Sequence, residues 1–117
     1  MTAVYSLVVL ASRPPDWSHD HFIAWWRGEH ADVTKALPGL RSWRHLAVDA
    51  ALEPRSEGWD GMSVLSFATA DDLTRALESP QWAAAVAHVG AMRGRRIAVM
   101  GEEAELFSAT APEAQPT

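Results

Sequence analysis

The chain has 117 residues, of which 48% are hydrophobic and 21% charged, and this predicts one soluble globular domain with a single core. A formal charge of −5 argues against nucleic acid as a partner, and the absence of cysteine excludes disulfides and thiolate zinc sites. Within MTAVYSLVVLASRPP the apolar run is about seven residues long, with no basic region before it, too short for a signal peptide or a membrane span. A cytoplasmic protein with no membrane partner is expected.

Val4 to Ala11 reads as a first strand, apolar on both faces and terminated by Pro14-Pro15. Asp16 and Ser18 are candidate N-caps for a helix from about residue 19 to Leu37, which Pro38-Gly39 ends. Leu40 to Val48 alternates, with Leu40, Ser42, Arg44, Leu46 and Val48 on one side and Arg41, Trp43, His45 and Ala47 on the other. A polar loop over residues 50–58 leads to a third strand, Trp59 to Phe67. Thr69 caps a helix through Glu78, and Ser79-Pro80 starts another through Val89. Ile97 to Met100 and Ala104 to Phe107 form a last strand, bulged around Gly101. The domain therefore covers residues 1–107, and the small, polar tail over 108–117 is expected to be disordered.

Strand, helix, strand, strand, helix, strand is the order of a ferredoxin-like α+β fold, a four-stranded antiparallel sheet with two helices on one face. Apolar residues on both strand faces, such as Met62 and Val64 against Leu65 and Phe67, predict that a second copy covers the open face as a homodimer.

The chemistry concentrates in FIAWWRGEHADVTKALPGL, residues 22–40. On an ideal helix Phe22, Trp26, His30, Val33 and Leu37 share one stripe, which places an imidazole in an apolar face. His30 is either a buried histidine satisfied by a neighbour or the reactive group of a pocket. As a general base it titrates close to working pH, and apolar neighbours keep it neutral. His45 shares a strand face with Trp43, and if that face lines the pocket it adds a second proton carrier; otherwise it is a hydrogen-bonded residue near the solvent. Arg41 has the same parity and either holds a substrate oxygen or forms a surface ion pair. His88, among alanines of the last helix, is a cavity or a packing residue. Asp60 fixes a turn or orients a histidine. His19 and His21 read as exposed, and Arg93, Arg95 and Arg96 as a solvated face or a subunit contact. No metal-ligand spacing, phosphate loop or nucleophile elbow appears, so no cofactor is expected.

WWRGEH, then LPGLRSW, then WDG opening the third strand and FATADDLTRALESPQW across the second helix resemble the EthD group of the dimeric α+β barrel superfamily, over roughly residues 3–107. The resemblance implies that fold, a homodimer, and a cavity between helices and sheet. Related proteins include polyketide cyclases, muconolactone isomerases and quinone-forming monooxygenases, cofactor-free enzymes, along with accessory proteins. Several of them use a histidine at the place of His30, and some pair it with a second-strand tyrosine where this chain has Trp43. The resemblance thus implies a histidine base at His30 acting on a hydrophobic oxygenated molecule of polyketide or lactone type, and the residue pattern adds His45 as its partner and Phe22, Trp26, Trp43, Arg41 and His88 as the residues that hold it. A non-catalytic binding or accessory protein of an oxygenase system, or a haem protein using His30, are the alternatives.

Overall fold

The computed structural model describes residues 4–90 and 94–109, so the tail expectation beyond residue 109 and Arg93 lie outside the described residues. The elements are β1 (Val4–Ala11), α1 (His19–Trp25), a π-helical turn (Trp26–His30), α2 (Ala31–Thr34), β2 (Leu40–Ala47), a 3₁₀ turn (Pro54–Ser56), β3 (Gly61–Phe67), α3 (Ala70–Leu77), α4 (Pro80–Val89) and β4 (Arg96–Glu103). The strands form one antiparallel sheet in the order β2-β3-β1-β4, the ferredoxin-like α+β plan.

Local signals set the element boundaries. Ser18 Oγ accepts from the His21 amide, Thr69 from Asp72 and Ser79 from Trp82, each satisfying a free first-turn N–H. Of the two cap candidates ahead of α1, Ser18 is the one used. Gly39 adopts φ 78°, a left-handed turn open to glycine after Pro38. β1 pairs with β3 on one side and β4 on the other, which explains its continuous apolar sequence.

One face of the sheet carries Leu7, Leu65 and Phe67, which meet Leu37, Leu73 and Ala76 from the helical layer in a buried cluster. A second cluster, Ala11, Phe22 and Trp26, lies toward the other end of β1, and Trp43 packs against both. The core is therefore in two parts with Trp43 between them. The opposite sheet face carries Leu46, Ile97 and Val99 at 52%, 51% and 58% exposure.

Three expectations change. The first helix is not one regular run to Leu37, because its middle, WRGEH, takes a π turn. The last strand is a single unbroken Arg96–Glu103 paired along β1, with no bulge at Gly101, and residues 104–109 follow it without regular structure. In β2 the register shifts between Leu40, opposite Phe67, and Ser42, opposite Ser66. The extra residue is Arg41. This bulge places Leu40 and Trp43 on the same, core-facing side, which strict alternation forbids.

Candidate functional site

At the seam between the two clusters is a cavity of about 210 Å³. Leu7, Val9 and Ala11 of β1, Ser63 and Leu65 of β3, and Trp43 of β2 form its floor. Phe22, Trp25, Trp26, His30 and Thr34 form one wall, and Trp82, Ala85, Val86 and Val89 another. Gly90, Arg96 and Ala98, all exposed, mark its mouth. An engineered cavity of about 150 Å³ accepts benzene, whereas drug-sized sites run from about 300 Å³ upward. The space suits one substituted ring.

The π turn determines which residues reach this space. On an α-helix, residues five apart are separated by about 140° around the axis. A π turn, with its i→i+5 bonding, brings them nearly into line. Trp25 and His30 accordingly stack, with ring centroids 4.7 Å apart and planes 13° from parallel. Trp25, absent from the sequence stripe, thus joins Trp26 in the wall, and Thr34 takes the place expected of Val33. A π turn has no strong signature in a single sequence, and WWRGEH reads there as ordinary helix.

His30 is held from a second direction. Its Nδ1 lies 3.0 Å from Nδ1 of His88, and both rings stack on Trp25, His88 at 5.3 Å and 3°. One Nδ1 must carry the proton and the other the lone pair. If His30 donates here, its Nε2 is a free base. Burial, and then the neighbouring His88 and Arg96, push the His30 pKa down to about 4. The imidazole is neutral at physiological pH.

The remaining expected site residues divide. Phe22, Trp26 and Trp43 line the cavity with His30. His45 does not, which corrects the expected convergence. Its ring packs T-shaped on Trp26 at 4.5 Å, and its Nδ1 accepts from Arg27 Nε at 3.0 Å. The bulky Trp26 ring stands over the glycine end of β3, where a Cβ on Gly61 would come within 2.8 Å of Trp26 and 3.0 Å of His45. Burial and Arg27 push the His45 pKa down to about 4 as well. Arg41, set outward by the bulge, is exposed and lines no part of the cavity, so it does not hold a substrate there. His88 is outside the lining and meets the site through its contact with His30.

Besides Trp25 and Thr34, two polar lining residues escaped the sequence reading. Arg96, grouped there with a solvated basic cluster, stands at the mouth, with its pKa lowered by burial. Its parity on β4, opposite Ala11, was the available signal. Arg95 instead lies over Trp59 at 4.1 Å and donates to the Gly58 carbonyl. Ser63, 2% exposed, is the second. Ser63 Oγ and Trp43 Nε1 are buried and have no hydrogen-bond partner among the described residues; His45 Nε2 is the third such atom.

Asp60 is a clamp. It accepts from the Arg13 amide at 2.7 Å, the Arg13 guanidinium at 2.9 Å and His19 Nδ1 at 2.8 Å. Burial opposes the carboxylate, yet these donors hold its pKa below the usual range. It fixes the β1–α1 connection to the start of β3, and the histidine it orients is His19, which is partly buried rather than exposed. Among the described residues no group of three or more histidines and acids could hold a metal ion. No helix there is long and apolar enough to cross a membrane.

Fold and cavity together define a ferredoxin-like α+β domain with a small-molecule-sized pocket between helices and sheet. A family model described as the EthD domain matches residues 14–92, and the chain belongs to that family. No curated protein matches it significantly. Among solved structures it is similar to an EthD family protein from Bacillus halodurans, at 21% identity and TM-score 0.70, over 86% of this chain and 99% of that one. It is also similar to a hydroxynitrile lyase from Passiflora edulis, at 14% identity and TM-score 0.72, over 90% and 97% of the two chains. A third similar structure is SnoaB, a cofactor-independent oxygenase from Streptomyces nogalater, at 15% identity and TM-score 0.58, over 96% of this chain and 100% of that one.

Proposed function

We propose that the protein is a cofactor-independent enzyme in which His30 acts as general base on a small, ring-sized carbonyl compound. The observation that carries this reading is the His30 imidazole, neutral, stacked on Trp25 and tethered through Nδ1 to His88, in the wall of a mainly apolar cavity. A ring held against the tryptophans would present a proton next to its carbonyl to the free nitrogen. Exclusion of water would protect the resulting enolate, and Arg96 would favour its charge. An imidazole with a pKa of about 4 is a weak base in the empty site. An enolate forming beside it favours the imidazolium and strengthens it during the reaction. The hydroxynitrile lyase and the cofactor-independent oxygenase support small-molecule catalysis on this fold.

The cavity size favours a lactone or monocyclic ketone over a fused polyketide. It also disfavours haem, whose macrocycle is several rings wide. The protein works as a homodimer, supported by the exposed Leu46, Ile97 and Val99 on the sheet face that no helix among the described residues covers. The test is a screen of monocyclic ketones and lactones for exchange of the α-proton in D₂O, followed by proton NMR. Enzyme-accelerated exchange that depends on His30 is expected; tight binding with no exchange by any compound would instead show a binding protein, the reading favoured by Trp43 in place of a phenolic acid.

A further inference from the structure

Ser63 sits in the middle of β3, flanked by Val9 of β1 and His45 of β2, so its backbone groups belong to the sheet ladder while its hydroxyl has no partner among the described residues. Serines on the other sheet face behave differently. Ser6 and Ser66 share a hydrogen bond of 2.9 Å, and Ser6 Oγ also donates to Glu103 at 2.6 Å. Leaving a buried hydroxyl unpaired is destabilising, and an alanine would have filled the position without that penalty. Trp43 repeats the pattern one strand away. It lies opposite Leu65, two residues along β3 from Ser63 and on the same face, and its buried Nε1–H is equally unpaired. Both residues line the cavity, whose other floor residues, Leu7, Val9, Ala11 and Leu65, offer only apolar surface.

An indole N–H only donates, and a serine hydroxyl donates freely. The pair therefore asks for an oxygen acceptor with two lone pairs. We propose that Ser63 Oγ and Trp43 Nε1, on the floor of the cavity whose wall carries His30, form a two-donor anchor for a substrate carbonyl oxygen. Identifying that oxygen as the carbonyl of a reacting substrate rests on the general-base reading of His30; the donor pair itself does not. Neither donor gives up its proton readily, so the anchor holds an enolate oxygen without protonating it. His30 takes the α-proton, the C–H electron pair moves into a C=C bond, and the carbonyl π pair moves onto the anchored oxygen. The same imidazolium then returns the proton to the α or the vinylogous γ carbon, and no oxidant or cofactor is consumed. The substrate class this describes is a small β,γ-unsaturated ketone undergoing a proton shift to its conjugated isomer.

Two isosteric probes test the anchor: 4-fluoroacetophenone and 4-fluoro-α-methylstyrene, which differ only in an oxygen replaced by CH₂. Their dissociation constants are read by ¹⁹F NMR titration. The wild-type protein is expected to prefer the ketone by about tenfold, the worth of one well-made hydrogen bond. Ser63→Ala should reduce that preference to within about threefold, leave alkene affinity unchanged and keep or raise the melting temperature, since an orphan hydroxyl is removed. Trp43→Phe, which keeps the ring and removes the donor, should also reduce the preference. A wild type with no preference, a Ser63→Ala protein that keeps it, or equal weakening of both probes with a lowered melting temperature would overturn the anchor. Ketone preference without α-proton exchange by any substrate contradicts the base reading and leaves the anchor standing. Exchange without ketone preference contradicts the anchor alone.

Discussion

His30 and His88 face each other through their Nδ1 atoms at 3.0 Å, from a π turn after α1 and from the last turn of α4. The contact fixes the orientation of the His30 ring, and it means that the two rings cannot both be charged without strong repulsion. Replacing His88 with phenylalanine keeps an aromatic ring against Trp25 and removes the hydrogen bond. The His30 pKa should rise from about 4 toward the ordinary value, because one of its depressing neighbours is gone, while burial and Arg96 keep it low. An NMR titration of the His30 ring checks this. Turnover should fall by about tenfold through lost orientation, with the acidic limb of kcat/KM moved upward.

Stability should depend on pH between 6.5 and 4. His30 and His45 both have folded pKa values of about 4 against an ordinary 6.5, so the unfolded chain takes up protons first as pH falls. Their contribution is complete above pH 6.5 and lost as pH falls toward 4. Because both rings are partly exposed, each is worth on the order of 1–2 kcal/mol, discounted for solvent screening. Urea unfolding at pH 7.5 and 4.5 measures the difference. Replacing both histidines with glutamine should flatten the dependence in this window.

The π turn predicts that two changes at Gly28 are tolerated. A Cβ there would meet no atom within 4 Å, so Gly28→Ala should stabilise the helix by about 0.5–1 kcal/mol in thermal unfolding. Deleting Gly28 removes the extra residue of the turn and lets it relax to α geometry. Trp25 and His30, then four residues apart on an α-helix, stay on one face about 40° apart, so α-proton exchange should be kept within about tenfold while circular dichroism keeps its helical signal.

The uncovered sheet face predicts dimer dissociation on adding charge. Val99→Lys places an ammonium in the middle of the apolar patch, opposite Val8 of β1. Sedimentation should show a dimer for the wild type and a monomer for the variant at micromolar concentration, since a buried, unpaired charge costs several kcal/mol.

The fold was legible in the sequence because its signals are local. Ser18, Thr69 and Ser79 cap the helices as their types suggest, and apolar β1 is a central strand. The WDG motif was visible as a motif, and its reasons are spatial: Trp59 stacks under Arg95, Asp60 clamps Arg13 and His19, and Gly61 leaves room for Trp26 and His45. The site was half legible. His30, Phe22, Trp26 and Trp43 were found because a stripe and a strand face bring them together. Arg41 and His45 were misplaced for separate reasons. One inserted residue in β2 throws Arg41 outward, and Trp26 screens His45 from the cavity. Trp25 was missed because the i→i+5 turn rotates it in. Ser63 was missed because a serine in a strand carries no signal until its lack of a partner is seen.

The most direct test of the account is the pH dependence of α-proton exchange with His30 intact and with His30→Ala. The account predicts a 10²- to 10⁴-fold loss in the variant. For the wild type it predicts kcat/KM at pH 5.5 within about twofold of the value at pH 7.5, because a base with a pKa of about 4 is neutral at both. A histidine with an ordinary pKa would retain only about a tenth of its activity at pH 5.5. An unchanged rate in His30→Ala, or an acidic limb centred near 6.5, would contradict it.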